Sequence, residues 1–176
     1  MPNPKNDQRR SSYLLFFPLL FVSLILEIVH LPAVIAPFRP DFAALLLIFF
    51  ASSDPKRINV GVAWVTGLVL DLLSGAPFGF NALILAFQVF VILSQFKSFI
   101  NFMLWQQIVI IGIVNVIGHI GVYWLGHLIA QGTYSGNFGW PTVVTMVLWP
   151  IMLMLYVTLW KVFNVTSASV KVEKEI

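Results

Sequence analysis

Cysteine is absent from the 176-residue chain, and charged side chains make up only 10% of it. The first absence excludes disulfide bonds, thiolate metal ligands and cysteine nucleophiles. A soluble domain carries about 25% charged residues, so the second absence excludes a globular fold exposed to water on all sides. The chain is 59% hydrophobic and its mean hydropathy is +0.92, which indicates that lipid surrounds most of it.

Motifs of the common catalytic sites are also absent. The sequence has no His-Glu-x-x-His zinc motif, no glycine-rich phosphate loop followed by lysine and no Gly-x-Ser-x-Gly nucleophile elbow. The connections between its apolar runs are too short to build a water-exposed site, and its basic residues are spread thinly along the chain. We therefore expect no enzymatic activity, no cofactor, no metal site and no nucleic acid binding.

Six apolar runs predict membrane-spanning helices, since a helix needs about 20 apolar residues to cross a hydrocarbon core about 30 Å thick. A strand of a membrane barrel would alternate apolar and polar residues, whereas the run 45–50 is apolar at every position. A tight turn at 74–77 joins the third and fourth runs into a hairpin. The predicted spans are 13–28, 42–52, 58–73, 78–96, 102–130 and 141–163.

The fold class predicted from these runs is an all-α membrane protein with a bundle of about six transmembrane helices. It forms one domain over residues 1–176, with a short segment at 1–12, the bundle at 13–163 and a polar tail at 164–176. Lysine and arginine in short loops are retained in the cytoplasm, and six crossings place nine of the ten basic residues on one side. Only Arg39 lies on the other side, so both termini are predicted to be cytoplasmic.

Four ionisable residues lie near the ends of the first three spans, on the side opposite the termini: Glu27, Arg39, Asp41 and Asp71. A charge in a bilayer is costly and requires a partner or a function. A bidentate contact between Arg39 and Asp71 could hold spans two and three together, and Asp41 could cap the second helix. Glu27 or Asp41 then lacks a cation. Structural pairing and capping, contact with a partner protein, and proton or solute transfer all remain open.

Span five carries a polar stripe. Asn115, His119, Tyr123 and His127 recur every four residues, so they share one face of a helix. The two histidines lie two turns apart, and no cysteine or carboxylate accompanies them, so the stripe is not a metal motif. It could form hydrogen bonds with neighbouring helices or line a substrate cavity, and the sequence leaves both interpretations open.

Five segments combine glycine, proline and polar residues in a recognisable order. They read Phe-Arg-Pro-Asp at 38–41, Arg-Ile-Asn-Val-Gly at 57–61, Gly-Leu-Val-Leu-Asp-Leu-Leu-Ser-Gly at 67–75 with Gly79 beyond it, Leu-Trp-Gln-Gln at 104–107 and Leu-Trp-Pro at 148–150. Together they resemble the MreD family of rod shape-determining membrane proteins over residues 38–150. The positions that match the family's motif are Arg39, Pro40, Asp71, Ser74 and Gly75.

The resemblance implies a non-catalytic multi-pass subunit of the bacterial inner membrane, surrounded by membrane lipid. Members of the family associate with MreC, which has one span, and help to couple MreB filaments to the RodA glycosyltransferase and its partner transpeptidase. On this interpretation, spans one to three present Glu27, Arg39, Asp41 and Asp71 beside the span of MreC. The family's bundle is also similar to solute-binding membrane subunits of vitamin transporters. A solute-binding subunit, with the stripe of span five lining its cavity, is therefore the alternative.

Overall fold

The structure is a computed structural model that describes residues 12–29, 32, 38–96, 98–128 and 139–163. All regular structure in these ranges is helical, which confirms the all-α prediction there. The elements are α1 (Tyr13–Ile28), α2 (Phe42–Ser53), α3 (Val60–Ser74), α4 (Phe80–Gln95), a 3-10 turn (Phe99–Asn101), α5 (Leu104–Leu128) and α6 (Gly139–Val162). Each helix begins and ends within two residues of the predicted span. The predicted tail 164–176 and all but the last residue of the predicted segment 1–12 lie outside the described ranges.

The helices fall into a long and a short group. α5 has 25 residues and α6 has 24, and both are long and apolar enough to cross a membrane. α1 to α4 have between 12 and 16 residues and are apolar but shorter. At about 1.5 Å per residue, the short helices measure about 18 to 24 Å, less than the hydrocarbon core.

α2 runs through the middle of the bundle. All of its residues from 43 to 51 are buried, and it packs against α1, α4 and α6. The sequence of α2 is apolar on every face over that stretch, as expected of a helix that other helices surround. Phe50 of α2 packs against aromatic rings of two of these helices, Phe16 of α1 and Tyr156 of α6.

α3 and α4 form a tightly packed hairpin, as predicted. A methyl group at Gly67 would lie only 2.3 Å from the Cα atom of Ala82, so a glycine is required at this crossing. Gly75 (φ +68°) ends α3, and Gly79 (φ +97°) precedes α4. Both glycines have the left-handed backbone that side chains disfavour, and they turn the chain between the two helices.

The bundle has two ends that carry polar side chains. At the end where α1 begins and α2 finishes, Ser12 donates a hydrogen bond to Asp54 across 2.6 Å. We call this the Ser12 end. α2 begins at the opposite end, which we call the Asp41 end, and the last turn of α1 with Glu27 lies there too. The length of α2 places the two ends about 20 Å apart.

Candidate functional site

Asp41 lies at the centre of a polar cluster that joins three helices. Its Oδ2 atom accepts a hydrogen bond from the side-chain amide of Asn115 and lies 3.0 Å from Nε2 of His119. Its backbone N–H donates to the hydroxyl of Thr145 at 3.1 Å, and the hydroxyl of Thr142 donates to Asn115 at 2.8 Å. These contacts bring together the start of α2, the middle of α5 and the first turns of α6.

The carboxylate of Glu27 lies at the start of α2, where a cap was expected from Asp41. Asp41 occupies the N-cap position of α2, but its side chain makes no capping hydrogen bond, so that expectation is wrong. The carboxylate of Glu27, at the end of α1, instead interacts with the backbone N–H groups of Phe42 and Ala43. The free N–H groups of a first helical turn attract an anion. This contact therefore ties the end of α1 to the beginning of α2.

Arg39 precedes α2 and reaches back to α1. Its Nη2 atom donates to the backbone oxygen of Leu26 at 3.2 Å, while its buried Nε atom has no hydrogen-bond partner among the described residues. Oε2 of Glu27 is likewise buried without a partner in the described part of the chain. Across residues 12–29, 38–96, 98–128 and 139–163, the only ion pairs are Arg57 with Asp54 and His119 with Asp41. Nε of Arg39 and Oε2 of Glu27 therefore lack hydrogen bonds within these ranges, although the guanidinium is close enough to interact electrostatically with Glu27.

Asp71 lies outside this cluster and caps α4. One of its oxygens accepts from the backbone N–H of Gly79 at 2.8 Å, and the other accepts from that of Asn81 at 2.9 Å. The side chain is only 1% exposed. The predicted pair between Arg39 and Asp71 is therefore wrong, because backbone donors of the adjacent helix occupy the carboxylate. Asp71 holds the α3–α4 hairpin closed.

The remaining positions of the family motif shape the ends of helices. Pro40 accepts a hydrogen bond from the backbone N–H of Phe42 at 3.1 Å, just before α2. The hydroxyl of Ser74 donates to the backbone oxygen of Leu70 at 2.7 Å. Gly75 supplies the left-handed residue that ends α3. Pro40 and Ser74 thus form hydrogen bonds with backbone of their own segment, and Gly75 acts through its backbone conformation.

The polar stripe of α5 separates into two pairs. Asn115 is buried and His119 is 24% exposed, and both face Asp41. Tyr123 and His127 contact each other instead, with ring centroids 4.2 Å apart and Nδ1 of His127 2.9 Å from the backbone oxygen of Tyr123. The first pair belongs to the polar cluster, and the second lies further along α5.

Sequence reasoning missed the threonines of α6. Thr142 and Thr145 are buried and contribute hydroxyl groups to the polar cluster. Their signal was present, since two hydroxyl residues three apart face one way at the start of an otherwise apolar span. Gln88 was missed as well; it is 2% exposed in α4, and its Oε1 atom has no hydrogen-bond partner within the described ranges.

The Ser12 end has its own polar contacts, which the sequence reasoning also missed. Asp54 is 1% exposed and accepts from Ser12, while Nη1 of Arg57 lies 3.4 Å from the same carboxylate oxygen. The hydroxyl of Tyr13 donates to the backbone oxygen of Arg57 at 3.2 Å. These bonds hold the start of α1 against the turn between α2 and α3.

The polar cluster at the Asp41 end is partly open. The side chain of Asp41 is 20% exposed, and the exposed rings of Phe38 and Trp140 stand 5.2 Å apart at the same end. Carboxylates, a guanidinium, an imidazole and hydroxyl groups in an apolar bundle can bind a polar group of another membrane component. We therefore take this cluster as the candidate site.

Comparisons with known proteins agree with this combination of helices and motif residues. The sequence model of a family described as rod shape-determining protein MreD matches residues 8–159. The rod shape-determining protein MreD of Haemophilus influenzae (strain ATCC 51907 / DSM 11121 / KW20 / Rd) is 24% identical over 144 residues, which cover 80% of this chain and 85% of that protein. No solved structure matches the chain. Because the family match extends from before α1 into the last turns of α6, the chain belongs to the MreD family of rod shape-determining proteins.

Proposed function

We propose that this protein is a non-catalytic scaffold of the bacterial cell-elongation complex in the inner membrane. It would link MreC, MreB and the lateral wall synthases, RodA and its partner transpeptidase, and so maintain rod shape. Membership of the MreD family carries this proposal. The structure adds support, because the polar side chains of the described residues tie helix ends together and leave apolar surface outside.

We further propose six membrane crossings with the Ser12 end in the cytoplasm. Lys56 and Arg57 lie in the turn between α2 and α3 at that end. Lys161 lies at the same end, because the ring of the preceding Trp160 packs against Phe50 in the last turns of α2. Because lysine and arginine of short loops are retained in the cytoplasm, these basic residues support this orientation. Arg39 lies at the opposite end.

The single span of MreC is proposed to pack along the outward face of the short helices α1 to α3. α1 presents Phe17, Phe21 and Ile25 on that face, spaced four residues apart, and all three are exposed. Glu27 and Arg39 attach the last turn of α1 to α2 and would therefore set the depth and rotation of this face. Glu27 and Arg39 would thus fix the orientation of the exposed face of α1 at the Asp41 end of the bundle.

A pull-down with MreC tests the proposal. The tagged full-length chain is co-expressed with MreC, extracted in mild detergent, and the MreC that co-purifies is quantified. We expect Phe17→Ala combined with Phe21→Ala, and separately Arg39→Ala, to release MreC. Val147→Ala on α6 removes apolar surface from another exposed position and is the matched control.

Folding of each variant is checked by its elution as a monodisperse species and by its thermal unfolding in detergent. Full recovery of MreC with both folded variants would overturn the proposed contact face. Loss of MreC with the Val147→Ala control would mean that the contact does not distinguish α1 from α6.

A further inference from the structure

Two charged side chains at the Asp41 end are fixed separately and are not paired with each other. Glu27 interacts with the first backbone N–H groups of α2, and Oε2 of its carboxylate accepts no hydrogen bond from any described residue. Arg39 is held by the backbone oxygen of Leu26, and its Nε atom donates to none of the described residues. Both atoms are buried, where an unmade hydrogen bond to a charged group is costly. Each side chain as a whole is partly exposed, so a small rotation would bring these atoms to the surface. A ligand that satisfies both atoms must donate a hydrogen bond to Oε2 of Glu27 and accept one from the guanidinium of Arg39.

The short helices bring lipid headgroups near this pair. α1 measures about 24 Å and α3 about 22 Å, against a hydrocarbon core of about 30 Å. A bilayer thins locally beside apolar segments that are too short to span it. Glu27 stands about 21 Å along α1 from the Ser12 end. Headgroups of the leaflet at the Asp41 end are therefore expected close to the level of Glu27.

The surroundings of the pair fit a headgroup. Asp41 and His119 are each exposed over about a fifth to a quarter of their side chains, so the cluster opens to the outside of the bundle. The exposed aromatic residues Phe38 and Trp140 lie at the same end, and such rings are typical of the headgroup level. Exposed apolar residues of α1 continue below, where acyl chains would lie.

We propose that Glu27 and Arg39 bind the headgroup of one zwitterionic phospholipid that carries a primary ammonium group. The phosphate accepts from the guanidinium of Arg39, and the ammonium donates to Oε2 of Glu27. Charge-assisted bonds of both kinds are strong. A trimethylammonium headgroup has no N–H to donate, and an anionic headgroup would leave Glu27 unpaired, so both bind less well. The proposal requires a bilayer around the chain but not MreC, so it can fail independently of the scaffold proposal.

Native mass spectrometry of the purified full-length chain tests this site. The protein is reconstituted without MreC into lipid mixtures that contain equal amounts of phosphatidylethanolamine, phosphatidylcholine and phosphatidylglycerol with the same acyl chains. We expect one phosphatidylethanolamine to be retained per chain, at least about tenfold over the other two lipids, from one charge-assisted hydrogen bond. Equal retention of all three lipids, or a preference for phosphatidylglycerol, would overturn the proposal. This ranking needs no variant and so does not depend on the folding of one.

Two variants then assign the two contacts. Glu27→Gln should lower retention of phosphatidylethanolamine about tenfold, to the level of phosphatidylcholine, because only the ammonium contact is lost. Arg39→Gln should lower retention of phosphatidylethanolamine and phosphatidylcholine alike. Arg57→Gln removes a guanidinium at the Ser12 end and should change nothing. Unchanged selectivity in the folded Glu27→Gln variant would contradict the assignment.

Discussion

The two polar ends of the bundle are built differently. At the Ser12 end, Asp54 is almost fully buried and pairs with Arg57, three residues away, and with the hydroxyl of Ser12. At the Asp41 end, Asp41 is a fifth exposed and binds side chains 74 and 78 residues further along the chain. The Ser12 end joins the start of one helix to one turn, whereas the Asp41 end joins side chains of three helices.

The difference shows which end is suited to bind something else. The Ser12 end matches one acid with one base and a hydroxyl, and it behaves as a joint between α1 and the turn after α2. The Asp41 end holds two acids, one guanidinium and an imidazole, and Oε2 of Glu27 and Nε of Arg39 form no hydrogen bond with any residue that the structure describes. At the Ser12 end, Oδ1 of Asp54 and the hydroxyl of Ser52 are also buried without a hydrogen-bond partner, but among the described residues no buried basic nitrogen there lacks one. The Asp41 end differs because it offers both a donor and an acceptor to a group supplied from outside.

The largest loss of stability is expected from removing the central carboxylate of the Asp41 end. Asp41→Ala removes the acceptor of Asn115 and His119, so both side chains lose their shared partner in an apolar bundle. We expect a loss of about 3 kcal/mol in the free energy of unfolding. Denaturant titration of the purified chain measures it, and the variant should also fail to restore rod shape to cells that lack the wild-type protein. Wild-type stability together with normal rods would contradict this account.

The corresponding change at the closed end should affect stability but not binding. Asp54→Ala removes the acceptor of Ser12 and should cost about 2 kcal/mol of unfolding free energy, while headgroup selectivity stays as in the wild type. Asp54→Asn keeps an acceptor for Ser12 and serves as the milder control. If Asp54→Ala abolished headgroup selectivity while the chain stayed folded, the two ends would not be independent.

The two histidines of α5 sharpen the comparison within one helix. His119→Ala should lower the unfolding free energy by about 1 to 2 kcal/mol, because it leaves an oxygen of Asp41 with one partner fewer. His127→Ala removes an exposed ring that contacts its own helix, and should change stability by less than about 0.5 kcal/mol. Thermal unfolding of the two variants side by side measures this difference. Equal losses would show that the stripe acts as one unit.

The smallest effect is expected for Arg57→Gln. The guanidinium of Arg57 is 42% exposed, and ion pairs of such groups contribute less than about 1 kcal/mol in solvent. Ser12 still satisfies one oxygen of Asp54 after the change. Denaturant titration should therefore separate this variant clearly from Asp54→Ala. If Arg57→Gln lowered the unfolding free energy as much as Asp54→Ala, the Arg57 guanidinium, and not the Ser12 hydroxyl, would be the main partner of Asp54.

The helices could be predicted from the sequence because apolar length is a local property. α1 has the predicted bounds, and the other helices deviate by one or two residues at their ends. The turn of the α3–α4 hairpin was predictable for the same reason. Its residues stand together in the chain, and Gly75 and Gly79 supply the backbone that the turn needs.

The partners of the polar residues could not be predicted in the same way. Opposite charge suggested that Arg39 meets Asp71, but the backbone N–H groups of Gly79 and Asn81 lie nearer and satisfy the carboxylate. A prediction made by pairing opposite charges overlooks backbone N–H groups, which also bind carboxylates. Sequence periodicity likewise cannot identify the helix that faces a given side chain.

The stripe of α5 illustrates that limit. Spacing placed Asn115, His119, Tyr123 and His127 on one face, and it could not show where the neighbouring helix begins. α2 starts at the level of Asn115 and His119, so only those two find Asp41 opposite them. The last turns of α5 extend past that start, and Tyr123 and His127 contact each other there.

The enclosure of α2 also bears on how the chain is made. With 12 residues, α2 is too short to cross a bilayer alone and lies close to Arg39 and Asp41, which resist insertion. Its neighbours include α4 and α6, which follow it in the chain. α2 therefore reaches its final position only after α6 has been synthesised. We therefore expect the core of this bundle to be completed late, when α4 and α6 close around α2.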